Sequence, residues 1–169
     1  GTLTMEAGNL TVVSAAANLS GGLGVTNAIV MTGNPVTINL TNDLLLSGPI
    51  SGGSNFVKSG GATLVLSGNN TFTGNLTNSG GTLKAGNPAA LGKGVLTMSG
   101  GTLGTVAAVA LANNIVLAAD REIANANDLG LSGVISGSAA LIKTGSGLLT
   151  LSGNNSYTGG TTITAPPNS

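Results

Sequence analysis

The chain has 169 residues, enough for a single domain with a sizeable core. Only 6% of them are charged, and the five basic and five acidic residues leave no net charge. This balance offers no basic stripe for nucleic-acid phosphates, and the lack of Cys and His excludes disulfides, thiolate–metal sites and the usual nucleophile–base pairs of enzymes.

No segment has the length and hydrophobicity of a membrane span. The most apolar stretch, residues 106–119, is interrupted by Asn113 and Asn114 and is shorter than the roughly 20 residues that a helix needs to cross a bilayer. We therefore expect no membrane insertion of this segment. The sequence starts at Gly1 without an initiator Met or a signal-peptide pattern, which predicts either a processed protein or part of a longer one.

Short runs of β-branched and aliphatic residues recur along the chain and predict strands. Turn clusters such as SGG, SGNN and KSGG separate them. Only the Ala-rich segments 87–94 and 106–114 are candidates for helices, and Gly and β-branched residues weaken both. The sequence therefore predicts an all-β protein, with strands that include Asn9–Val12, Val36–Leu40, Thr63–Leu66, Val95–Met98 and Leu148–Leu151.

The chain consists largely of two tandem copies of one sequence. Residues 42–77 align without a gap on residues 127–162, a shift of 85 positions, with 20 identical pairs among the 36. An earlier part follows with a shift of 86 positions, where GNLTV at Gly8 aligns on GVLTM at Gly94. A long internal period of this kind is typical of repeat architectures.

This tandem organisation favours a parallel β-solenoid over a β-sandwich or a barrel, because a sandwich does not need its second half to repeat its first. Successive rungs of a solenoid stack at about 4.8 Å, so equivalent residues form ladders. With roughly 20–22 residues in each rung, we expect about four rungs in each copy, about eight in the chain and a rod about 38 Å long.

The most specific repeated phrase is LSGNNTFTG at Leu66, which returns as LSGNNSYTG at Leu151. We interpret it as part of a rung: the leucines point inward, SGNN turns the corner and the aromatic residue covers the next layer. The predicted structural repeat residues are Leu66, Gly68, Asn69, Asn70, Phe72 and Gly74 in copy one, and Leu151, Gly153, Asn154, Asn155, Tyr157 and Gly159 in copy two.

The segment Gly60–Leu103, GGATLVLSGNNTFTGNLTNSGGTLKAGNPAALGKGVLTMSGGTL, resembles the autotransporter-associated β-strand repeat of bacterial surface proteins. The second copy matches through GLLTLSGNNSYTGGTTI. The resemblance implies a right-handed parallel β-helix that is exported to the cell surface or beyond. It also implies a role in secretion, stalk building or adhesion, and no catalytic residues.

Two further motifs invite a chemical interpretation. GNPAALGKG at Gly86–Gly94 is similar to a phosphate-binding loop, but it has one residue too many before Gly-Lys and lacks the following Ser or Thr, which favours a simple turn. ADREI at Ala119–Ile123 contains Asp120, Arg121 and Glu122, the densest charge in the chain. We interpret it as a solvated corner, with a weak cation or glycan contact as the alternative.

Asp43 and Asp128 occupy equivalent positions of the two copies. With about four rungs between them they are expected roughly 19 Å apart. That is beyond the roughly 5–9.5 Å that separates the two carboxylates of a glycosidase. Each follows Asn and precedes Leu, which suits a residue that caps a turn. We therefore predict neither catalytic residues nor a cofactor or metal site.

These observations predict one solenoid domain over residues 1–163, with copy one at about 1–85, copy two at about 86–163 and a Pro-containing tail at 164–169. We expect a secreted or cell-surface structural protein whose partner is another copy of itself, because both ends of the repeat are in phase for head-to-tail stacking into fibres. The alternative is a stalk or adhesin segment of a longer passenger that binds glycans. No nucleic-acid partner is expected.

Overall fold

The computed structural model describes the backbone of residues 2–5, 8–12 and 23–164 and the side chains of residues 24–164. These residues form strands and no helix, which confirms the all-β prediction. The strands in chain order are β1 (Thr2–Met5), β2 (Gly8–Val12), β3 (Leu23–Val25), β4 (Ala28–Met31), β5 (Val36–Leu40), β6 (Leu44–Leu46), β7 (Ile50–Gly52), β8 (Phe56–Ser59), β9 (Thr63–Leu66), β10 (Leu76–Asn78), β11 (Thr82–Ala85), β12 (Leu96–Met98), β13 (Thr102–Thr105), β14 (Val109–Leu111), β15 (Ile115–Leu117), β16 (Arg121–Ala124), β17 (Leu129–Leu131), β18 (Ile135–Ser136), β19 (Leu141–Thr144), β20 (Leu149–Leu151) and β21 (Thr161–Ile163).

The strands stack in parallel on three faces of a β-solenoid, as predicted. The first face holds β1, β4 and β7, and further along the chain β14, β17 and β20. In the two coils between these sets, irregular segments take the place of a strand: the Thr71 N–H donates to the Ile50 carbonyl and the Lys93 N–H to the Phe72 carbonyl. The second face holds β2, β5, β8, β10, β12, β15 and β18, and the third holds β3, β6, β9, β11, β13, β16, β19 and β21.

The coils are of nearly constant length. On the second face Val36 pairs with Phe56, Phe56 with Leu76, and Leu76 with Leu96, so one coil separates each residue from the next. The described coils number about seven, against the eight expected. The first of them is longer than the rest, with Gly8 paired to Val36.

The core consists of ladders of aliphatic and aromatic side chains inside the coils. Alternation along each short strand directs every second side chain inward, where it stacks on its partners above and below. Burying one such side chain stabilises the fold by about 1.5–3 kcal/mol. The inward ladder of the second face contains Val36, Phe56, Leu76, Leu96, Ile115 and Ile135, each at most 1% exposed.

Asparagines join successive coils at the corner that precedes the second face. The Asn34 side-chain oxygen accepts the Asn55 N–H at 3.1 Å, Asn55 accepts the Asn75 N–H at 2.9 Å, and Asn75 accepts the Val95 N–H at 3.1 Å. Corner residues leave the strand ladder, so their N–H groups need other acceptors. This ladder supplies them and explains part of the Asn content.

From β14 onward, the strands of the second copy lie on different faces from their equivalents in the first copy. By the shift that aligns the copies, β7 on the first face corresponds to β18 on the second, β8 on the second to β19 on the third, and β9 on the third to β20 on the first. Four whole coils contain fewer residues than the shift between the copies, and the difference is about the number of residues on one face. Equivalent residues of β3–β10 and β14–β21 therefore lie in different ladders, whereas β2 and β12, equivalent by the alignment of Gly8 on Gly94, both belong to the second face.

The predicted division into copies and the domain limits remain predictions. Strand β21 ends at Ile163, and most of the predicted tail, residues 165–169, lies outside the described residues.

Gly68 and Gly61 differ in how closely a neighbouring coil packs on them, so substitutions at these two positions test the stacking at the corners. A Cβ on Gly68 would lie 2.1 Å from the Gly48 carbonyl oxygen, whereas a Cβ on Gly61 would meet nothing within 4 Å. We expect Gly68→Ala to lower the free energy of unfolding by about 2 kcal/mol or more, because main chain must move apart. Gly61→Ala should change it by less than about 1 kcal/mol. Urea unfolding followed by circular dichroism measures both, and equal midpoints would contradict the stacking of this corner.

Candidate functional site

The repeated segment of copy one begins where β9 ends and turns a corner onto the first face. Leu66 is fully buried, and Gly68 sits on the Gly48 carbonyl. Beyond the corner, side chains alternate. Asn70, Phe72 and Gly74 are buried, whereas Asn69, Thr71 and Thr73 are exposed. The segment therefore has a strand-like alternation although it is not itself a strand.

Asn70 links three successive coils. Its side-chain oxygen accepts the Ile50 N–H of the preceding coil at 2.8 Å, and its Nδ2 donates to the Ala90 carbonyl of the following coil at 2.5 Å. The residue is 2% exposed. Both hydrogen bonds are thus shielded from water. In such a buried position, leaving either main-chain group unpaired costs about 1–3 kcal/mol of stability.

Phe72 fills the interior beneath the next coil. Its ring packs edge to face on Phe56, with centroids 6.0 Å apart and planes at 84°. Gly92 lies directly against the ring, since a Cβ there would come within 2.5 Å of it. The predicted covering role of the aromatic residue matches this position.

The corresponding residues of copy two lie around β20 and are less covered. Gly153 sits on the Gly133 carbonyl, and Gly159 sits on Ala139 of the coil below. The Asn155 side chain accepts the Ile135 N–H at 2.8 Å. Leu151 and Tyr157 are half-buried, Asn154 is exposed, and the Tyr157 hydroxyl lies 2.6 Å from the Thr161 hydroxyl.

Two lysines at equivalent positions point into the interior, although no lysine was predicted there. Lys58 is 0% exposed, and its Nζ donates to the Gly60 carbonyl at 3.1 Å and to the Gly80 carbonyl, one coil later, at 2.5 Å. Lys143 is 9% exposed and donates to its own Thr144 and Gly145 carbonyls. Alternation from the buried Phe56 could have revealed the inward direction of Lys58.

Burial lowers the pKa of Lys58 to about 8 from 10.5, because a charged ammonium loses hydration inside the coils, while Asp43 raises it by a smaller amount. Among the residues that the structure describes, no carboxylate forms an ion pair with this ammonium. Main-chain carbonyl dipoles stabilise it instead, so the side chain acts as a clamp between the corners of two coils.

The acidic residues are engaged in capping the fold. Asp43 accepts the Thr63 N–H at 2.7 Å and Asp128 accepts the Leu148 N–H at 3.0 Å, one coil on in each case. Asp43 lies at the corner between the second and third faces, and Asp128 at the corner after the third. Each carboxylate therefore caps an N–H group at the corner of the next coil.

The interpretation of ADREI as a solvated corner is wrong for most of the segment, because Arg121–Ala124 form β16 with Arg121 and Glu122 half-buried, and the segment is tied to neighbouring coils. Asp120 accepts the Ala140 N–H at 2.8 Å, and Glu122 accepts the hydroxyls of Thr102 at 3.3 Å and Thr144 at 2.5 Å. Arg121 donates to the Ser99 carbonyl at 2.9 Å. Its groups thus spread over three coils rather than converging on one point.

GNPAALGKG forms a turn, as interpreted. Asn87 Nδ2 donates to the Ser67 and Gly68 carbonyls at 2.6 and 3.0 Å, and its side-chain oxygen accepts the Ala89 N–H at 2.8 Å. Ala90 and Leu91 are fully buried, so the turn presses onto Phe72.

Within the described residues no three side chains of the His, Cys, Asp and Glu types gather as metal ligands would. The described part of the chain also contains no helix long and apolar enough to cross a bilayer.

Comparisons with known proteins agree with the resemblance found in the sequence. The family model described as passenger-associated-transport-repeat matches residues 56–85 and 141–165, the segments around the two repeated phrases. The chain is also similar to the adhesin BmaC autotransporter of Brucella suis biovar 1 (strain 1330), with 36% identity over 146 residues. The match covers 83% of the chain but only 4% of that adhesin. No solved structure matches the chain significantly.

Asn70 and its neighbour Asn69 form a matched pair for mutation. Asn70→Ala should lower the free energy of unfolding by about 2–4 kcal/mol, because the Ile50 N–H and the Ala90 carbonyl lose their partner inside the fold. Asn69→Ala removes the same groups from an exposed position and should change it by no more than about 0.5 kcal/mol. Chemical denaturation of the two variants measures the difference, and similar losses for both would refute the bridging role.

Lys58 should give the stability a distinctive pH dependence. Below pH 8 the side chain is protonated in both states, so the full cost of burying its charge is present. Between about pH 8 and 10.5 the folded state is neutral while the unfolded state keeps its proton, and the cost is relieved as pH rises. Between about pH 7 and 10, the free energy of unfolding of the wild type should therefore rise by up to about 3 kcal/mol relative to that of Lys58→Met.

Lys93→Met, which removes an exposed lysine, is the control for this measurement. Its stability difference from wild type should stay nearly constant over the same pH range. If the stability difference of Lys58→Met also stayed constant with pH, the burial of the Lys58 ammonium would be refuted.

Proposed function

We propose that the chain, which carries the passenger-associated transport repeat of a secreted or cell-surface protein, is non-enzymatic and builds an extracellular rod. The observation that carries this proposal is the continuity of its parallel ladders. On the third face, eight strands pair in one unbroken series from β3 to β21. A fold of this type extends by adding coils and needs no other element.

The acidic side chains support the absence of catalysis. Asp43, Asp128 and Asp120 each accept a main-chain N–H of the next coil, and Glu122 accepts two threonine hydroxyls. Used in this way, these carboxylates join neighbouring coils. The passenger repeat is typically found in non-enzymatic proteins, which agrees with this role.

The coil that contains β20 and β21 has an open apolar edge. Leu148 is 65% exposed and Ile163 is 76% exposed. Leu149 and Leu151 are half-buried, whereas their equivalents in copy one, Leu64 and Leu66, are fully buried by the next coil. A concavity of about 580 Å³ lies over this edge and is lined partly by Lys143. Each of the two strands pairs on one side only within the described residues.

Polar groups at this edge lack the partners that copy one provides. Asn70 donates to the following coil, but the Nδ2 of its equivalent Asn155 makes no hydrogen bond within the described residues. Lys58 reaches the carbonyl of Gly80 in the following coil, whereas Lys143 binds carbonyls of its own coil only. The edge is therefore complementary to another coil of the same repeat.

We propose that a second copy of the chain supplies this coil, with its β1, β2 and β3 placed on the edge formed by β20 and β21. In the part of the chain that the structure describes, these three strands pair only with β4, β5 and β6, and all strands run in parallel, so the ladders would continue across the junction. Such a head-to-tail contact does not close on itself and propagates into a fibre.

Sedimentation tests this assembly. Wild type should form larger species as its concentration rises, and Ile163→Asp should suppress them by at least about tenfold because a carboxylate would be buried at the junction. Val106→Asp changes a valine that is 46% exposed on the side of the solenoid and should assemble like wild type.

Circular dichroism of each variant keeps the comparison to folded protein. A wild-type chain that stays monomeric at all concentrations, with Ile163→Asp indistinguishable from it, would rule out head-to-tail stacking. A rod built from successive coils of one longer passenger would then be the remaining form of the proposal.

A further inference from the structure

Lys58 and Asn78 are neighbours in an interior ladder of the second face. Each side chain points inward and is 0% exposed, and the two residues are register partners in β8 and β10. The residues that precede and follow them in this ladder, Ile38 and Met98, are apolar. A primary amine and a carboxamide therefore share one enclosed part of the core.

Neither of these two groups uses all of its hydrogen-bonding capacity. The Lys58 ammonium has three N–H groups and donates to two acceptors, the carbonyls of Gly60 at 3.1 Å and Gly80 at 2.5 Å. The Asn78 Nδ2 donates to the Thr102 carbonyl at 3.2 Å, whereas the Asn78 Oδ1 has no partner within the described residues. An unpaired carboxamide oxygen is costly in such a position, and a chemical role is one reason for a folded protein to retain it.

We propose that these two side chains react with each other to form an isopeptide bond, in which Lys58 Nζ is joined to the side-chain carbonyl carbon of Asn78 and ammonia is released. The bond links β8 to β10 and so fastens two successive coils covalently. It also replaces a buried ammonium by a neutral amide, which removes the cost of burying the charge.

The geometry brings the amine to the coil of its reaction partner. Stacked residues lie about 4.8 Å apart, which is within the reach of a lysine side chain. Because Lys58 Nζ contacts the Gly80 carbonyl, the side chain already crosses to the coil of Asn78 and ends two residues beyond it. A Cβ on Gly81 would lie 2.5 Å from Nζ, so the glycine at this position leaves room for the amine. Rotation about the side-chain bonds of Lys58 exchanges one acceptor on this coil for the carboxamide.

The reaction balances without a further reagent. The Lys58 ammonium first gives a proton to water, and the electron pair of the neutral amine attacks the side-chain carbonyl carbon of Asn78. The new N–C bond forms, a proton passes from Nζ to Nδ2, and the bond between the carbonyl carbon and Nδ2 breaks. The departing ammonia takes up a proton in solution, so an ammonium ion replaces the lysine ammonium and nothing is oxidised or reduced.

The surroundings of Lys58 favour the neutral amine that this reaction needs. Burial lowers the pKa of Lys58 to about 8 from 10.5. Asp43, which lies at the same corner one coil earlier, raises the pKa by a smaller amount. A lysine that has lost its hydration in this way is a nucleophile at pH values where an exposed lysine stays protonated.

The second copy lacks the partner that the reaction requires. Lys143, the equivalent of Lys58, has Ile123 and Ile163 as its register partners on the neighbouring coils. These apolar side chains offer no carbonyl carbon to the amine, so only one ammonia should be lost from each chain. The two lysines thus form a natural pair of a reactive and an unreactive site.

Intact mass spectrometry of the whole folded chain tests the bond. After incubation at about pH 9 the wild type should weigh less by the mass of one ammonia, and the loss should be at least about tenfold slower at about pH 6, where far less of the amine is neutral. Lys143→Met should lose ammonia as the wild type does, whereas Lys58→Met should keep its full mass. Protease digestion and tandem mass spectrometry should locate the bond in a branched peptide that contains Lys58 and Asn78.

Asn78 could also lose ammonia by closing on its own main chain, and Lys58→Met separates the two reactions because it retains that second route. Loss of ammonia from Lys58→Met at the wild-type rate, or a wild type that keeps its full mass at about pH 9, would overturn the isopeptide bond. The linked chain has no ammonium at this corner, so the pH dependence of stability described above belongs to the unlinked chain. Either outcome is independent of head-to-tail stacking, because both residues lie within one chain.

Discussion

Main-chain hydrogen bonds between residues one coil apart hold the described strands at the spacing of a parallel sheet. Val36, Phe56, Leu76 and Leu96 follow one another in this way. A slip of one residue within a paired strand would turn its inward side chains outward, so differences in coil length, as between Gly8 and Val36, fall outside the paired strands. Most other features of the sequence meet this constraint. Glycine is required where a corner carbonyl of one coil touches the next, as at Gly68, and asparagine provides acceptors where corner N–H groups leave the ladder.

Most polar side chains of the interior, such as Lys58 and Asn70, bind main-chain groups, although the buried Thr105 hydroxyl has no partner within the described residues. Lys58 replaces an aliphatic residue in a ladder that continues with Asn78 and Met98. Its ammonium joins the carbonyls of Gly60 and Gly80, so the cost of burying the charge is offset by hydrogen bonds that join two coils. With few charges on the surface and no disulfide, links between coils of this kind hold the solenoid together in addition to its apolar core.

The sequence alone was sufficient to predict the fold class, because the tandem repeat and the short strand-like runs are incompatible with most other all-β architectures. It also indicated that Leu66 points inward, that Phe72 covers the next layer and that Asp43 and Asp128 act as caps. The change of face between equivalent strands of the two copies could not be predicted from the repeat, because the period of the repeat does not reveal how many residues form one coil. Lys58 was missed because lysine is normally exposed, and only the alternation from Phe56 indicates otherwise. The open edge at β20 depends on which coils are present and has no signature in the sequence.

The central claim is that strands one coil apart, rather than consecutive strands, are neighbours in a parallel sheet. Nuclear Overhauser contacts in solution measure this most directly. A parallel solenoid predicts contacts between the methyl groups of Leu44 and Leu64 and between those of Leu64 and Leu83, which stack on the third face. It also predicts no close Hα–Hα contacts between β8 and β9. Strong Hα–Hα contacts between these consecutive strands, as in an antiparallel hairpin, together with no contact between Leu64 and Leu83, would contradict it.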